Sequence, residues 1–150
     1  MGERLKPALC YKNFFIMNVN TTGKITELQV MLFLVKKGYS VSIPFGDKDK
    51  YDQIWDIDGK LYRVQVKTSH LYKKNNGVAI EFNTTGTSNG KKTLYSKKDI
   101  DFFATYWNEQ VYAVPVEETS SKKVLRFETT NNQPNICWAK DYTFEKIFKI

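Results

Sequence analysis

An aspartate, a glutamine and a lysine lie close together in the chain, at Asp52, Gln65 and Lys67, around the dipeptide Asp58-Gly59. Asp-Gly between two runs of β-branched and aromatic residues is typical of a hairpin, because a two-residue type I′ turn needs positive φ twice. The sequence therefore predicts two antiparallel strands, with chemically active side chains near their open end.

The turn also predicts the register. Ile57 should face Lys60, and the same register places Asp52 opposite Gln65. Lys67 has the strand parity of Gln65, so it should project from the same face one diagonal step away, roughly 7–8 Å from its neighbour. A carboxylate, an amide and an ammonium thus converge on one face of the hairpin.

These residue types suit metal-assisted hydrolysis of a phosphodiester. Asp52 can hold a hard cation through oxygen. The cation polarises the phosphoryl oxygen and acidifies a bound water, and Lys67 can stabilise the charge that builds up on phosphorus. Gln65 is either a neutral ligand or a group that orients water. An edge hairpin with solvated polar side chains would show the same spacing.

Strand parity also sorts the neighbouring residues. Val64 and Val66 should point into a core. Asp56 shares the face of Asp52 but lies about 13 Å nearer the turn at ~3.3 Å per residue, which makes it the second choice as a ligand.

A second carboxylate is available on a predicted helix over 23–37, with Thr21 or Thr22 as its N-cap. Its expected core face follows from 3.6-residue spacing and consists of Ile25, Leu28, Met31, Leu32 and Val35. Glu27 lies beside this stripe in the first turns. It is either a site carboxylate or a charge that complements the helix dipole.

The pattern Gly23-x-x-x-Glu27, then Asp52, then Gln65 two residues before Lys67, resembles the PD-(D/E)XK nuclease superfamily. The resemblance runs from about 21 to 115. It implies an α/β (α+β) restriction-endonuclease-like fold, with a mixed central β-sheet flanked by helices.

Within that superfamily the chain resembles the cyanobacterial group I intron-encoded homing endonuclease type, which also has Gln in place of the usual acid. This implies a site-specific double-stranded DNA endonuclease that uses Mg²⁺. Its catalytic residues would be Glu27, Asp52, Gln65 and Lys67, and its metal ligands Glu27, Asp52 and the backbone carbonyl of Val66. The resemblance implies a homo-oligomer, a dimer at minimum and a tetramer by analogy.

Positive charge is concentrated in one segment. The whole chain carries a net charge of +7, and the segment 60–98 holds nine basic residues and one acid, so the remainder sums to −1. Such an asymmetry is typical of a polyanion partner. We expect a basic loop over 69–77 and a DNA-contacting loop over 83–98. The expected DNA contacts are Arg63, Ser69, His70, Lys73, Lys74, Thr87, Ser88, Asn89, Lys91, Lys92, Lys97 and Lys98.

Composition excludes several other classes. Two distant cysteines, Cys10 and Cys137, with no Cys-x-x-Cys exclude a zinc finger or ribbon and fit a reducing cytoplasm. A single histidine excludes nucleases and zinc hydrolases built on several histidines. No apolar run reaches the ~20 residues of a membrane span. We expect one domain over 1–150, with 1–20 as an N-terminal arm.

Three alternatives remain open. A Holliday junction resolvase shares this fold, charge and site layout. A non-catalytic DNA-binding protein explains the charge but not two carboxylates beside a phosphate path. A domain that binds an acidic protein predicts no DNA affinity with a steep salt dependence.

Overall fold

The computed structural model describes residues 18–74, 77–128 and 134–150. This part of the chain forms two helices and ten strands. The elements are α1 (Val19–Lys36), β1 (Ser40–Ser42), β2 (Gln53–Ile57), β3 (Lys60–Val66), β4 (His70–Lys74), β5 (Gly77–Asn83), β6 (Thr85–Ser88), β7 (Lys91–Leu94), β8 (Phe102–Trp107), β9 (Gln110–Pro115), β10 (Lys122–Glu128) and α2 (Phe144–Phe148). Short 3₁₀ turns lie at Val116–Glu118 and Ala139–Asp141.

The central sheet has five strands in the order β1-β2-β3-β8-β9. Strands β3 and β8 are parallel, and the other neighbours are antiparallel. A three-stranded sheet, β10-β5-β4, and the hairpin β6-β7 complete the strands. The predicted mixed sheet flanked by helices is confirmed.

The core lies on both faces of the central sheet, because successive side chains of a strand point to opposite faces. On β8, Ala104 packs in a cluster with α1 and α2, whereas Phe103 packs in a second cluster with β5 and β10. Val111 and Tyr112 of β9 divide in the same way. The helices, the central sheet and the smaller sheet therefore form three layers.

The Asp58-Gly59 hairpin forms as predicted. Asp58 has φ 53° and Gly59 has φ 83°, and Ile57 pairs with Lys60. The Asp52 N–H donates to the carbonyl oxygen of Val64 at 2.9 Å, so Asp52 lies at the open end of the hairpin. Burial of Val64 confirms which face of β3 points into the core.

Helix α1 begins earlier than predicted. Its N-cap is Asn18, whose side chain accepts a hydrogen bond from Asn20 N–H, so Thr21 and Thr22 lie inside the helix. Asparagine and threonine are both favoured as N-cap residues. Residue type alone therefore did not show which of them begins α1. The predicted arm over 1–20 is therefore wrong at its end, and 1–17 lie outside the described residues.

The predicted core face of α1 is also wrong. The buried residues are Thr26, Val30 and Leu34, whereas Leu28, Leu32 and Val35 are 61%, 54% and 54% exposed. Apolar residues surround this helix almost completely, so their spacing could not select the face that packs on the sheet. An apolar stripe is left on the outside.

Both predicted basic loops are strands. The segment expected as a loop over 69–77 contains β4, which pairs with β5. The segment over 83–98 contains the hairpin β6-β7, whose turn residues Asn89 and Gly90 have φ 50° and 73°. Asn-Gly is the same turn signal as Asp-Gly, but flanks rich in glycine, asparagine and lysine, which are depleted in strands, and poor in large apolar residues hid it.

The C-terminal helix α2 closes the core. Phe144 is fully buried, and its ring lies 5.8 Å from the ring of Trp55 and 4.9 Å from that of Phe148. The helix is shorter than the 141–150 predicted. No helix of the described residues is long and apolar enough to cross a membrane.

Candidate active site

Asp52 and Gln65 meet as the hairpin register predicts. Oδ2 of Asp52 accepts hydrogen bonds from Gln65 Nε2 at 2.5 Å and from the Val66 N–H at 2.8 Å. Burial raises the pKa of Asp52, and the charge of Glu27 raises it further, against the opposing effects of the Val66 N–H and Lys67. A nearby positive charge therefore stabilises the ionised form of this half-buried carboxylate.

Helix α1 brings Glu27 to the same place. The carboxylate of Glu27 pairs with Lys24 Nζ at 2.9 Å, and its charge acts on Asp52. The backbone carbonyl of Glu27 accepts a hydrogen bond from Gln53 Nε2 at 2.7 Å. Two carboxylates from different elements therefore share one end of the sheet.

Lys67 completes the group just beyond β3. Its Nζ donates to the carbonyl of Thr85 at 3.1 Å and lies 5.4 Å from the ring centroid of Tyr95. Burial lowers the pKa of Lys67, and the charge of Asp52 opposes that shift. The lysine is thus held against the β6-β7 hairpin and the Tyr95 ring.

The Tyr95 ring lies beneath the Lys67 ammonium and packs against the core. It packs edge-on against the buried Phe103, with centroids 5.2 Å apart. A Cβ at Gly86 would lie 3.0 Å from Oη of Tyr95, so any larger residue there would push against the Tyr95 ring. Burial, followed by the charges of Asp52 and Asp99, raises the pKa of Tyr95.

For the phosphodiester cleavage that the sequence predicts, we expect Tyr95→Leu to slow the rate about 3- to 30-fold, because a cation–π contact is worth roughly 0.5–2 kcal/mol. Tyr95→Phe keeps the ring and should retain the wild-type rate within about twofold. Single-turnover cleavage and DNA affinity in Ca²⁺ would be measured for both. Equal losses in rate would show that the hydroxyl matters rather than the ring.

The donors at this site fit a hard divalent cation. Within 18–74, 77–128 and 134–150, no cluster of three or more His, Cys, Asp or Glu side chains could hold a metal ion, and Gln65 stands beside Asp52 where a third carboxylate could have been. Two carboxylates remain, from Glu27 and Asp52. The NH₂ group of Gln65 faces Asp52, which leaves its carbonyl oxygen for an ion or a water. Oxygen donors of this kind suit Mg²⁺.

The Val66 carbonyl lies beside this set. Its oxygen is 3.5 Å from Gln65 Nε2. Its role as a ligand stays a prediction. Asp56, the second choice, is used elsewhere, because its Oδ1 accepts the Gly59 N–H at 2.8 Å in the hairpin turn.

A groove of about 280 Å³ lies between the 47–50 loop and the β6-β7 hairpin, with Tyr95 on its wall. Thr87 and Ser88, both expected to contact DNA, line it together with Lys48 and Lys50. The other expected hairpin contacts, Asn89, Lys91 and Lys92, are exposed on the turn and on β7.

The remaining expected DNA contacts differ in their surroundings. Ser69 is only 8% exposed, which does not favour a direct contact with DNA, and its contact stays a prediction. Arg63 donates to the carbonyls of Lys97 and Lys98 at 2.9 and 2.6 Å, so it holds a turn of the protein.

His70 and Lys73 are exposed on β4, and Lys98 is exposed before β8. Lys97 is exposed and paired with Glu117. The side chain of Lys74 lies outside the described residues. These contacts stay predictions.

Three site residues were missed by sequence reasoning: Gln53, Thr85 and Tyr95. Gln53 alternates with Asp52 on the strand, so its inward direction was readable, but its partner on α1 was not. Thr85 acts through its backbone carbonyl, which no side-chain pattern encodes.

Comparison with known proteins agrees with the family resemblance and the fold. A model of the PD-(D/E)XK endonuclease family matches residues 17–145. Protein 5.3 of Escherichia phage T7 is 31% identical over 101 residues, which are 67% of this chain and 83% of that protein. The solved structure of a bacterial homing endonuclease, I-Ssp6803I, superposes with a TM-score of 0.68 at 26% identity and covers 89% of this chain and 95% of that one.

Proposed function

Because this chain belongs to the PD-(D/E)XK endonuclease family, we propose that it is a cytoplasmic, site-specific double-stranded DNA endonuclease that uses Mg²⁺ and serves intron homing. The observation that carries the proposal is the convergence of Glu27, Asp52, Gln65 and Lys67 at one end of the central sheet. The similarity to a bacterial homing endonuclease supports the homing role.

Each residue has a distinct part in this proposal. Glu27 and Asp52 hold the cation, with the Val66 carbonyl as a third oxygen. A bound divalent cation would polarise the phosphoryl oxygen and lower the pKa of a water. Lys67 donates to the attacking oxygen and stabilises the charge that develops in the transition state. Gln65 orients the attacking water or supplies its carbonyl oxygen to the metal.

The groove beside Tyr95 and the exposed β6-β7 hairpin are the proposed path of the DNA. Lysines there neutralise phosphates, and hydroxyl and amide side chains reach phosphates or base edges. The basic excess of the 60–98 segment supports this path. Affinity should fall steeply as salt is raised.

Cutting both strands with one site per chain requires at least two chains, and the homing-endonuclease resemblance suggests a tetramer. We propose that the exposed stripe of Leu28, Leu32 and Val35 on α1 pairs two copies. Unpaired charge buried at such a contact costs several kcal/mol. Leu32→Glu should therefore raise the dissociation constant more than ~100-fold in sedimentation, whereas Leu61→Glu, at an equally exposed leucine of the β2-β3 hairpin, should not change it.

The decisive experiment is cleavage with Mg²⁺ or with EDTA on three substrates: a plasmid library of random inserts, a random linear duplex and a four-way junction. A homing enzyme should cut a small subset of inserts, only with Mg²⁺, and leave the random duplex intact. Junction cutting that is indifferent to flanking sequence would instead identify a resolvase. Binding to every substrate without any cutting would support a non-catalytic binder.

A further inference from the structure

Gln53 is a buried polar residue at the start of β2, next to Asp52, and it joins this strand to α1. It is only 1% exposed. Its Nε2 donates to the backbone carbonyl of Glu27 at 2.7 Å, and its Oε1 accepts from Trp55 Nε1 at 3.0 Å. Both ends of one amide are thus satisfied by residues of two different elements, as a buried amide requires.

The hydrogen bond from Gln53 to the Glu27 carbonyl lies next to Asp52 in the chain. Asp52 and Gln53 are consecutive, so strand alternation sends the carboxylate outward and the amide inward. The Nε2 bond therefore ties the main chain of Glu27 to the residue next to Asp52. This bond therefore links the two elements that carry the carboxylates, and neither element alone determines how they are placed relative to each other.

A hydrogen bond between two threonines also joins α1 to this end of the sheet. Oγ1 of Thr26 lies 3.0 Å from Oγ1 of Thr68, and these residues adjoin Glu27 and Lys67 along the chain. The threonine pair holds α1 to the end of β3, while Gln53 holds it to the start of β2. Of these two contacts, only the Gln53 bond involves the main chain of Glu27.

We propose that Gln53 is a positioning residue that sets the separation of the Glu27 and Asp52 carboxylates and thereby the affinity for the divalent cation. The proposal deepens the metal-dependent activity proposed above and rests on it. Groups that orient ligands without touching the metal commonly change metal affinity 10- to 100-fold.

The test compares Gln53→Met with Trp55→Phe. Both remove the indole–amide hydrogen bond from the core, but only Gln53→Met removes the bond to Glu27. Mn²⁺ binding would be measured by electron paramagnetic resonance without DNA, and cleavage would be measured against Mg²⁺ concentration. We expect Gln53→Met to raise the Mn²⁺ dissociation constant and the half-saturating Mg²⁺ about tenfold, and Trp55→Phe to change neither more than about twofold.

Equal shifts in the two variants would overturn the proposal, since Gln53 would then act only through core packing. If Gln53→Met does not fold, Gln53→Asn replaces it. Asparagine keeps a neutral amide but is one methylene shorter, so it no longer spans from Trp55 to the Glu27 carbonyl. Weaker Mn²⁺ binding in this variant would support the proposal, and unchanged or tighter binding would contradict it. A wild type that neither binds Mn²⁺ nor cuts DNA would overturn the proposed function as well.

Discussion

Lys67→Met is expected to slow DNA cleavage by about 10²–10³-fold, the usual effect of removing one donor to a developing oxyanion. The lysine is half-buried beside Asp52, and the Thr85 carbonyl and the Tyr95 ring hold its ammonium. Methionine preserves much of the side-chain volume but carries no charge and donates no hydrogen bond. Single-turnover cleavage of a plasmid carrying the recognised site, with saturating enzyme and Mg²⁺, measures the loss.

The matched control is Lys60→Met. Lys60 is exposed at the turn end of β3, the strand that Lys67 follows. Its replacement removes the same charge from the chain but leaves the site unchanged. Its cleavage rate should remain within about twofold of wild type, and DNA affinity in Ca²⁺ should be similar for both variants. Equal cutting by wild type and Lys67→Met would mean that the active site lies elsewhere.

Asp52→Asn is expected to reduce cleavage at least ~10³-fold, because a bound cation contributes several kcal/mol of transition-state stabilisation and each 1.36 kcal/mol is tenfold in rate. The same change should strengthen DNA binding in EDTA about three- to tenfold. A carboxylate beside a phosphate path repels it unless a cation lies between them. Cleavage and fluorescence anisotropy, each with Mg²⁺ and with EDTA, measure the two effects.

Asp56→Asn is the control for this pair of effects. Asp56 lies on β2, the strand that Asp52 precedes, but its carboxylate accepts the Gly59 N–H in the hairpin turn. Asparagine keeps an acceptor oxygen for this N–H, so Asp56→Asn should lower the free energy of unfolding by no more than about 1 kcal/mol and leave cleavage nearly unchanged. A large loss of cleavage in Asp56→Asn with little loss in Asp52→Asn would reverse the assignment of the ligand.

The hairpin and the chemistry at its open end were readable from local order alone. Asp-Gly specifies a tight turn, the turn specifies the register, and two-residue alternation then decides which side chains share a face. Asp52 and Gln65 are in contact for these reasons. Their interaction needs no knowledge of the rest of the fold, because both residues belong to one hairpin.

The side of α1 that packs on the sheet could not be predicted from local order in the same way. Leu28, Leu32 and Val35 have the right spacing for a core stripe, and Thr26, Val30 and Leu34 have it too. The sheet packs against the second set. When a helix is apolar on more than one side, its own sequence cannot identify the packed side, and only the shape of the sheet surface can.

The same limit applies to the side chains that hold the site in place. The sequence specified the residue types of the active site, their order and the hairpin that pairs two of them. Tertiary structure alone decided that Gln53 reaches the Glu27 carbonyl, that Tyr95 lies under Lys67, and that Arg63 holds a protein turn. These contacts join residues far apart in the chain, and they depend on how the layers pack, whereas turn chemistry and strand alternation act between neighbours.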